Sequence, residues 1–265
     1  MRKQKCFIGW VFFTLSTFAQ STDLTKKATV MKVEIWSDVM CPFCYIGKRK
    51  FESALAQFSE NEKIEVEWKS FQLQPDLETN PNQNPVEHLA VSKGWSLAYA
   101  QQAVSQVKEM AKTVGLEYHF NKAVVANSFN AHRLSHYAKQ HGKGNELEEQ
   151  LFKAYFTEGK NIDDYETLAN IAAAAGLNKT EAMLVLKENK HEEDVRRDIA
   201  EAKQLRISGV PFFVFNEKYA VSGAQETKVF LQTLEKAFDE WKKENKQKNI
   251  DVIQGKVCTP DGECK

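Results

Sequence analysis

Two cysteines separated by two residues, Cys41-Pro42-Phe43-Cys44, stand where a strand pattern gives way to a helix pattern, and this junction constrains the chain more than any other feature. Residues 32–36 alternate polar and apolar side chains, with Val33 and Ile35 supplying the β-branched members of a half-buried strand. After the pair, Ile46, Phe51, Ala54, Leu55 and Phe58 recur at helical spacing, so a helix begins at or just after the second cysteine. Cys41 then lies near the unpaired N–H groups and positive dipole end of that helix, which stabilise a thiolate. Cys44, one turn further on, is placed to attack a mixed disulfide formed on Cys41. Pro42 suits the first helical position, where a missing N–H costs nothing.

Other chemistry can use this spacing. Half of a zinc site would need a second Cys or His pair at ligand spacing, and an inert disulfide would not need the strand–helix junction. The remaining cysteine pair, Cys258 and Cys264, has five residues between its members, with no His-x3-5-His companion. A redox dithiol is the reading this location favours.

The first thirty residues are set apart from this unit. Arg2, Lys3 and Lys5 precede a mostly apolar run over residues 6–18, and Thr17-Phe18-Ala19 offers small residues at a cleavage site. That is the layout of a secretory signal peptide, too short for a comfortable membrane span. It favours a periplasmic or secreted protein with no stable membrane insertion after processing; a start at Met31 would instead leave a cytoplasmic chain. Either way Cys6 drops out, and four cysteines allow three pairings, of which sequence proximity favours 41–44 and 258–264. The 36 basic and 36 acidic residues cancel, so charge gives no indication of nucleic-acid binding.

Residues 64–71 alternate again, with Ile64, Val66 and Trp68 on one face, so strand–helix–strand suggests a parallel crossover. Pro75, Pro81 and Pro85 mark departure from the sheet. From about 85 to 206 the pattern is helical. Ser96 caps one helix, carrying Ala100, Val104, Val107 and Ala111; Asn127 opens a second, and Leu147, Leu151 and Ala154 mark a third. Leu168, Ile171 and Ala172 mark a fourth, Asn178 with Glu181 resembles a capping box for a fifth, and Val195, Ile199 and Ala202 face inward on a last. Residues 211–215 and 219–222 form a hairpin, and Val229, Phe230, Leu234, Ala237 and Trp241 a closing helix. The expected organisation is a leader at 1–19, a linker at 20–30, a sheet unit at 31–75 and 207–242, a helical insertion at 76–206 and a tail at 243–265.

Four blocks, VEIWSDVMCPFCYIGKRKFE, NSFNAHRL, LFKAYFTEGKNIDDYETLANIAAAAGL and ISGVPFFVFNEKYAVSGAQ, together resemble the DsbA-like branch of the thioredoxin fold, and within it the FrnE-type oxidoreductases. The resemblance covers residues 31–242 and implies an α/β thioredoxin fold with a large all-helical insertion. It implies a cis Val210–Pro211 bond facing Cys41 and Cys44, where an extended substrate can pair with Val210. Pro42 and Phe43 would border that substrate, and Asn127, His132 and Arg133 match a block resembling the substrate-facing wall of the helical region. His132 and His136 have metal-ligand spacing, but without an HExxH pattern they suggest no metal. Trp36, Phe43, Tyr45 and Phe212 offer an apolar surround.

The expected activity is thiol–disulfide exchange, with Cys41 as nucleophile, Cys44 as resolving residue and no metal or organic cofactor. Partners would be protein thiols or disulfides, with glutathione as a possible co-substrate, and a redox recycling partner. Cys258 and Cys264 are a candidate auxiliary redox pair, because their short loop would stabilise the fold little. A glutathione-dependent isomerase or transferase on the same scaffold is the alternative, and a non-enzymatic holdase a third; the intact dithiol favours exchange.

Overall fold

The computed structural model describes residues 30–245. Four strands, β1 (Met31–Ser37), β2 (Ile64–Ser70), β3 (Phe212–Phe215) and β4 (Tyr219–Ser222), form one sheet in the order β2-β1-β3-β4. β1 and β2 run parallel from Met31 opposite Ile64 to Ser37 opposite Ser70, and the other two pairings are antiparallel. A parallel pair needs a long crossover, and α1 (Pro42–Gln57) supplies it. Seven helices intervene between β2 and β3: α2 (Pro85–Lys93), α3 (Leu97–Lys112), α4 (Phe129–Gln140), α5 (Gly144–Phe156), α6 (Tyr165–Ala174), α7 (Lys179–Lys187) and α8 (Glu192–Gln204). The hairpin leads into α9 (Thr227–Glu244).

The two-residue alternation of β1 sorts its side chains between two cores. Val33 and Ile35 pack with Phe213 and Phe215, under Phe51 and Ala54 of α1 and Phe230, Leu234 and Ala237 of α9. Trp36 points to the opposite face, against Ala202 at the end of α8 and Ile207. A larger cluster fills the helical region and includes Cys41, Cys44, Tyr45 and Ile46 of the first turns of α1. One helix therefore contributes its start to one core and its later turns to another.

Several local boundaries differ from the sequence reading. α1 starts at Pro42, before the second cysteine, because Cys41 itself has extended backbone and serves as N-cap. The proline supplies the first helical residue without an N–H to satisfy. Two helices, not one, occupy residues 85–112. Asn84 caps α2 through the N–H groups of Val86 and Glu87, and Gly94 turns the chain at φ 67 before Ser96 caps α3. On α3 only Ala100 and Ala111 are buried, so its stripe packs more lightly than its spacing suggested. Asn178 accepts from the N–H groups of Thr180 and Glu181, but Glu181 accepts from the Tyr137 hydroxyl instead of closing the reciprocal half of a capping box.

Candidate active site

Cys41 caps α1, and the Cys44 N–H donates to its carbonyl at 3.0 Å, setting the two side chains one turn apart. Both are free thiols and both are buried, Cys41 at 4% exposure and Cys44 at 1%. The Cys41 S–H donates to the Val210 carbonyl at 3.4 Å. The Val210–Pro211 bond is cis. Pro211 comes this close because Gly47 carries no side chain: a Cβ there would lie 3.0 Å from the proline Cγ. The loop before β3 and the second turn of α1 thus meet over the dithiol.

Phe43, between the cysteines, is 40% exposed. It borders a cavity of about 390 Å³ that is also lined by Ile46, Met110 and Ala224, with the Lys50–Glu226 ion pair at its edge. The other aromatic candidates lie elsewhere. Trp36 is fully buried and packs on the far face of the sheet beside Phe212, while Tyr45 stacks on Phe152 of α5. Their apolar area stabilises packing; Phe43 alone of the four offers substantial surface beside the thiols.

Beneath the cysteines the end of β1 turns through Ser37 and Asp38, both buried. Burial pushes the Cys44 thiol well above its ordinary pKa, and the hydrogen bond with Cys41 adds to this. The Asp38 N–H and the Ser37 hydroxyl act in the opposite direction, since both can donate to a thiolate. Asp38 holds the turn together: its carboxylate accepts from the N–H groups of Met40 at 3.2 Å and Leu73 at 2.7 Å, and its carbonyl accepts from the Cys41 N–H at 2.9 Å. Tyr118, also buried, donates its hydroxyl to the Pro42 carbonyl at 2.8 Å and clamps the first turn of α1 from the loop after α3. On the outer side of α1, Glu149 of α5 receives Tyr45 at 2.6 Å, Lys48 at 2.7 Å and both terminal nitrogens of Arg49.

The block around residues 127–133 divides by function. His132 is buried at 3% exposure, with Nε2 3.6 Å from Asp38 Oδ1 and no hydrogen-bond partner for that nitrogen among the described residues. Arg133 does not face a substrate wall. Its guanidinium, at 1% exposure, donates to the carbonyls of Val185, Leu186 and Lys190 and to Asn130, and so closes the C-terminal end of α7. Asn127 donates to the Pro75 and Leu77 carbonyls and accepts from the Phe129 N–H, tying the segment after β2 to the start of α4. His136 meets Ser70 and Asp198 instead of sharing a ligand with His132. Cys258 and Cys264 lie outside the described residues. Sequence reasoning missed Ser37, Asp38, Tyr118 and the Lys48–Glu149 contact. Only Asp38 left a signal, as an acidic residue three positions before the first cysteine.

The DsbA-like thioredoxin domain family matches over residues 32–235. YwbO, an uncharacterized protein of Bacillus subtilis strain 168, is 30% identical over 213 residues, covering 80% of this chain and 98% of its own length. The crystal structure of a probable DsbA oxidoreductase from Streptomyces coelicolor superposes with a TM-score of 0.74 at 36% identity, covering 89% of this chain and 98% of the other. A 2-hydroxychromene-2-carboxylate isomerase shares the fold, with a TM-score of 0.52 at 17% identity over 82% of this chain and 98% of its own.

Proposed function

The chain belongs to the DsbA-like thioredoxin domain family, and from that premise we propose that it exchanges disulfides with protein thiols through Cys41 and Cys44. The observation that carries the reading is the pairing of two free thiols at the start of α1, with Cys41 against the Val210 carbonyl and Cys44 sealed behind it. In the reductive direction the Cys41 sulfur attacks a substrate disulfide, one substrate sulfur leaves as a thiolate, and a mixed disulfide forms. Cys44 then loses its proton and attacks the Cys41 sulfur, releasing the second substrate thiolate. The pair gives up two electrons and two protons and ends as a disulfide; the oxidative direction is the reverse. Burial of Cys44 delays its attack until the mixed disulfide stands beside it, and Cys41 is the sulfur a substrate reaches first.

Val210 is the backbone edge beside which an extended substrate would lie, and Phe43 with Met110 supplies apolar surface for the residues flanking its cysteine. Neither metal nor organic cofactor enters these steps. Glutathione is a candidate co-substrate and a recycling partner is required, because each turnover leaves the pair in the opposite redox state. The leader-like residues 1–19 favour work in the periplasm or outside the cell, and a Met31 start would place the same chemistry in the cytoplasm.

Insulin reduction with a dithiol donor tests the reading. Cys41→Ser should fall to background, and Cys44→Ser should accumulate a mixed disulfide with a cysteine-containing peptide. Full turnover by Cys41→Ser, or conjugation of glutathione to a model electrophile without insulin reduction, would replace it with the isomerase or transferase alternative.

A further inference from the structure

Beneath the dithiol lies a pair of groups that the exchange steps do not use. Asp38 is fully buried at the turn that carries both cysteines, its carbonyl holding the Cys41 N–H and its own N–H facing the Cys44 sulfur. A carboxylate in this position opposes negative charge on either sulfur, and its two N–H partners, on Met40 and Leu73, carry no net charge to cancel it. The side chain that can cancel it is His132 of α4, also buried, with Nε2 3.6 Å from Asp38 Oδ1 and no other partner for that nitrogen among the described residues. We infer that His132 is a positioning residue for the dithiol: its imidazolium neutralises Asp38 and so sets the balance between the reduced and oxidised forms of Cys41–Cys44. The inference rests on the thiol-exchange reading above.

The surroundings of His132 support a charged ring. Glu148 of α5, which accepts from Ser135 at 2.7 Å, and Asp198 of α8 add negative charge to that of Asp38. Lys48 of α1 opposes them through Glu148. Burial works against the imidazolium, but the three carboxylates outweigh it, and the net direction is upward from the ordinary histidine pKa. Any thiolate formed on the reduced pair during exchange feels both members, whereas the neutral disulfide feels neither. Removing the positive member therefore disfavours the reduced state, and removing the negative member favours it.

The test is the equilibrium of the full-length protein with reduced and oxidised glutathione, read by thiol alkylation and mass spectrometry. His132→Gln should shift the equilibrium towards the disulfide by about tenfold, which is about 30 mV for this two-electron couple. Asp38→Asn should shift it the opposite way, and the double variant should return towards wild type. The His132→Gln gap should also narrow as pH rises through the point where the wild-type ring loses its proton. A merely structural role would move both single variants in the same direction or neither. Shifts of the same sign, or a His132→Gln equilibrium within about twofold of wild type, overturn the inference. Because Asp38→Asn removes an anchor of the turn, His132→Asn serves as a second neutral variant, expected to match His132→Gln. Failure of wild-type protein to exchange with glutathione or reduce insulin would instead sink the thiol-exchange reading itself.

Discussion

Glu148 and Glu149 are neighbours on α5, yet their surroundings push them in opposite directions. Glu148 points inward, where burial raises its pKa against a single hydrogen bond from Ser135. Glu149 also loses water, but the donors on Arg49, Lys48 and Tyr45 outweigh that loss and hold it at about 2. A carboxylate depressed in the folded state adds stability that is present above its unfolded pKa and disappears as pH falls through the folded value. The contribution of Glu149 is thus lost between about 4.5 and about 2. Glu149→Gln should lower stability at neutral pH by about 1–2 kcal/mol, discounted because the ion pairs reach solvent, and flatten the stability profile over that acid window. Glu148 has the reverse sign: its raised pKa disfavours folding at neutral pH, and acid relieves it. Glu148→Gln should be neutral or stabilising at pH 7, where Glu149→Gln is destabilising. Urea midpoints against pH check both, and equal losses would contradict this assignment.

At the scale of elements, the ends of helices and the turns between them carry much of the specificity. The last carbonyls of α7 have no partners within the helix, and the buried Arg133 guanidinium supplies them along with positive charge at the negative end of the dipole. Arg133→Met removes the side-chain donor from those carbonyls, leaving Val185 and Leu186 only the N–H groups of Lys190 and Asn189, and should cost about 1.5–3 kcal/mol, while insulin reduction by the folded fraction stays at the wild-type rate. Reduced turnover at full folding would restore the residue to a substrate wall. Two glycines separate backbone strain from crowding. Gly142 and Gly159 have φ of 65° and 68°, but a Cβ at Gly142 meets nothing within 4 Å, whereas one at Gly159 would lie 2.4 Å from the Lys122 carbonyl oxygen. Gly142→Ala should cost about 1 kcal/mol, the left-handed penalty alone. Gly159→Ala should cost clearly more, because the Lys122 backbone must move as well; similar losses in thermal melts of the two would rule out crowding.

At the scale of the whole molecule, α1 links the sheet to the helical region. Cys44, Tyr45 and Ile46 pack among the helices, while Phe51, Ala54 and Phe58 of the same helix pack under the sheet. Lys48 and Arg49 add ion pairs from that helix to α5, and Asp198 of α8 accepts from the Ser70 N–H at the end of β2 at 2.9 Å. Unfolding either region would strip partners from α1, so the two should melt together. Far-UV circular dichroism, dominated by the helices, and fluorescence of a Trp10→Phe/Trp95→Phe variant, which keeps Trp36, Trp68 and Trp241 at the sheet, should give coincident transitions in urea. Loss of helix at lower urea than loss of tryptophan signal would mean the helical region unfolds on its own.

The strands, the helix that carries the cysteines and most of the helical run could be read from the chain alone because their signals are local. Val33 and Ile35 alternate, Ile46 to Phe58 repeat at the helical period, and Ser96 and Asn178 announce helix starts within a few residues. Cys41 and Cys44 were legible for the same reason, since their spacing and the change of period around them need no distant partner. Which side chain faces which could not be read that way. His132 and Arg133 are adjacent in sequence, and both match one motif, yet a turn of about 100° per residue on α4 sends one to Asp38 and the other to the end of α7. Asp38 meets His132 across 94 positions and Cys41 meets Val210 across 169, distances in sequence over which periodicity carries no information. Those pairings follow from how the sheet, α1 and α4 pack together, so only the tertiary structure decided what surrounds the two sulfurs.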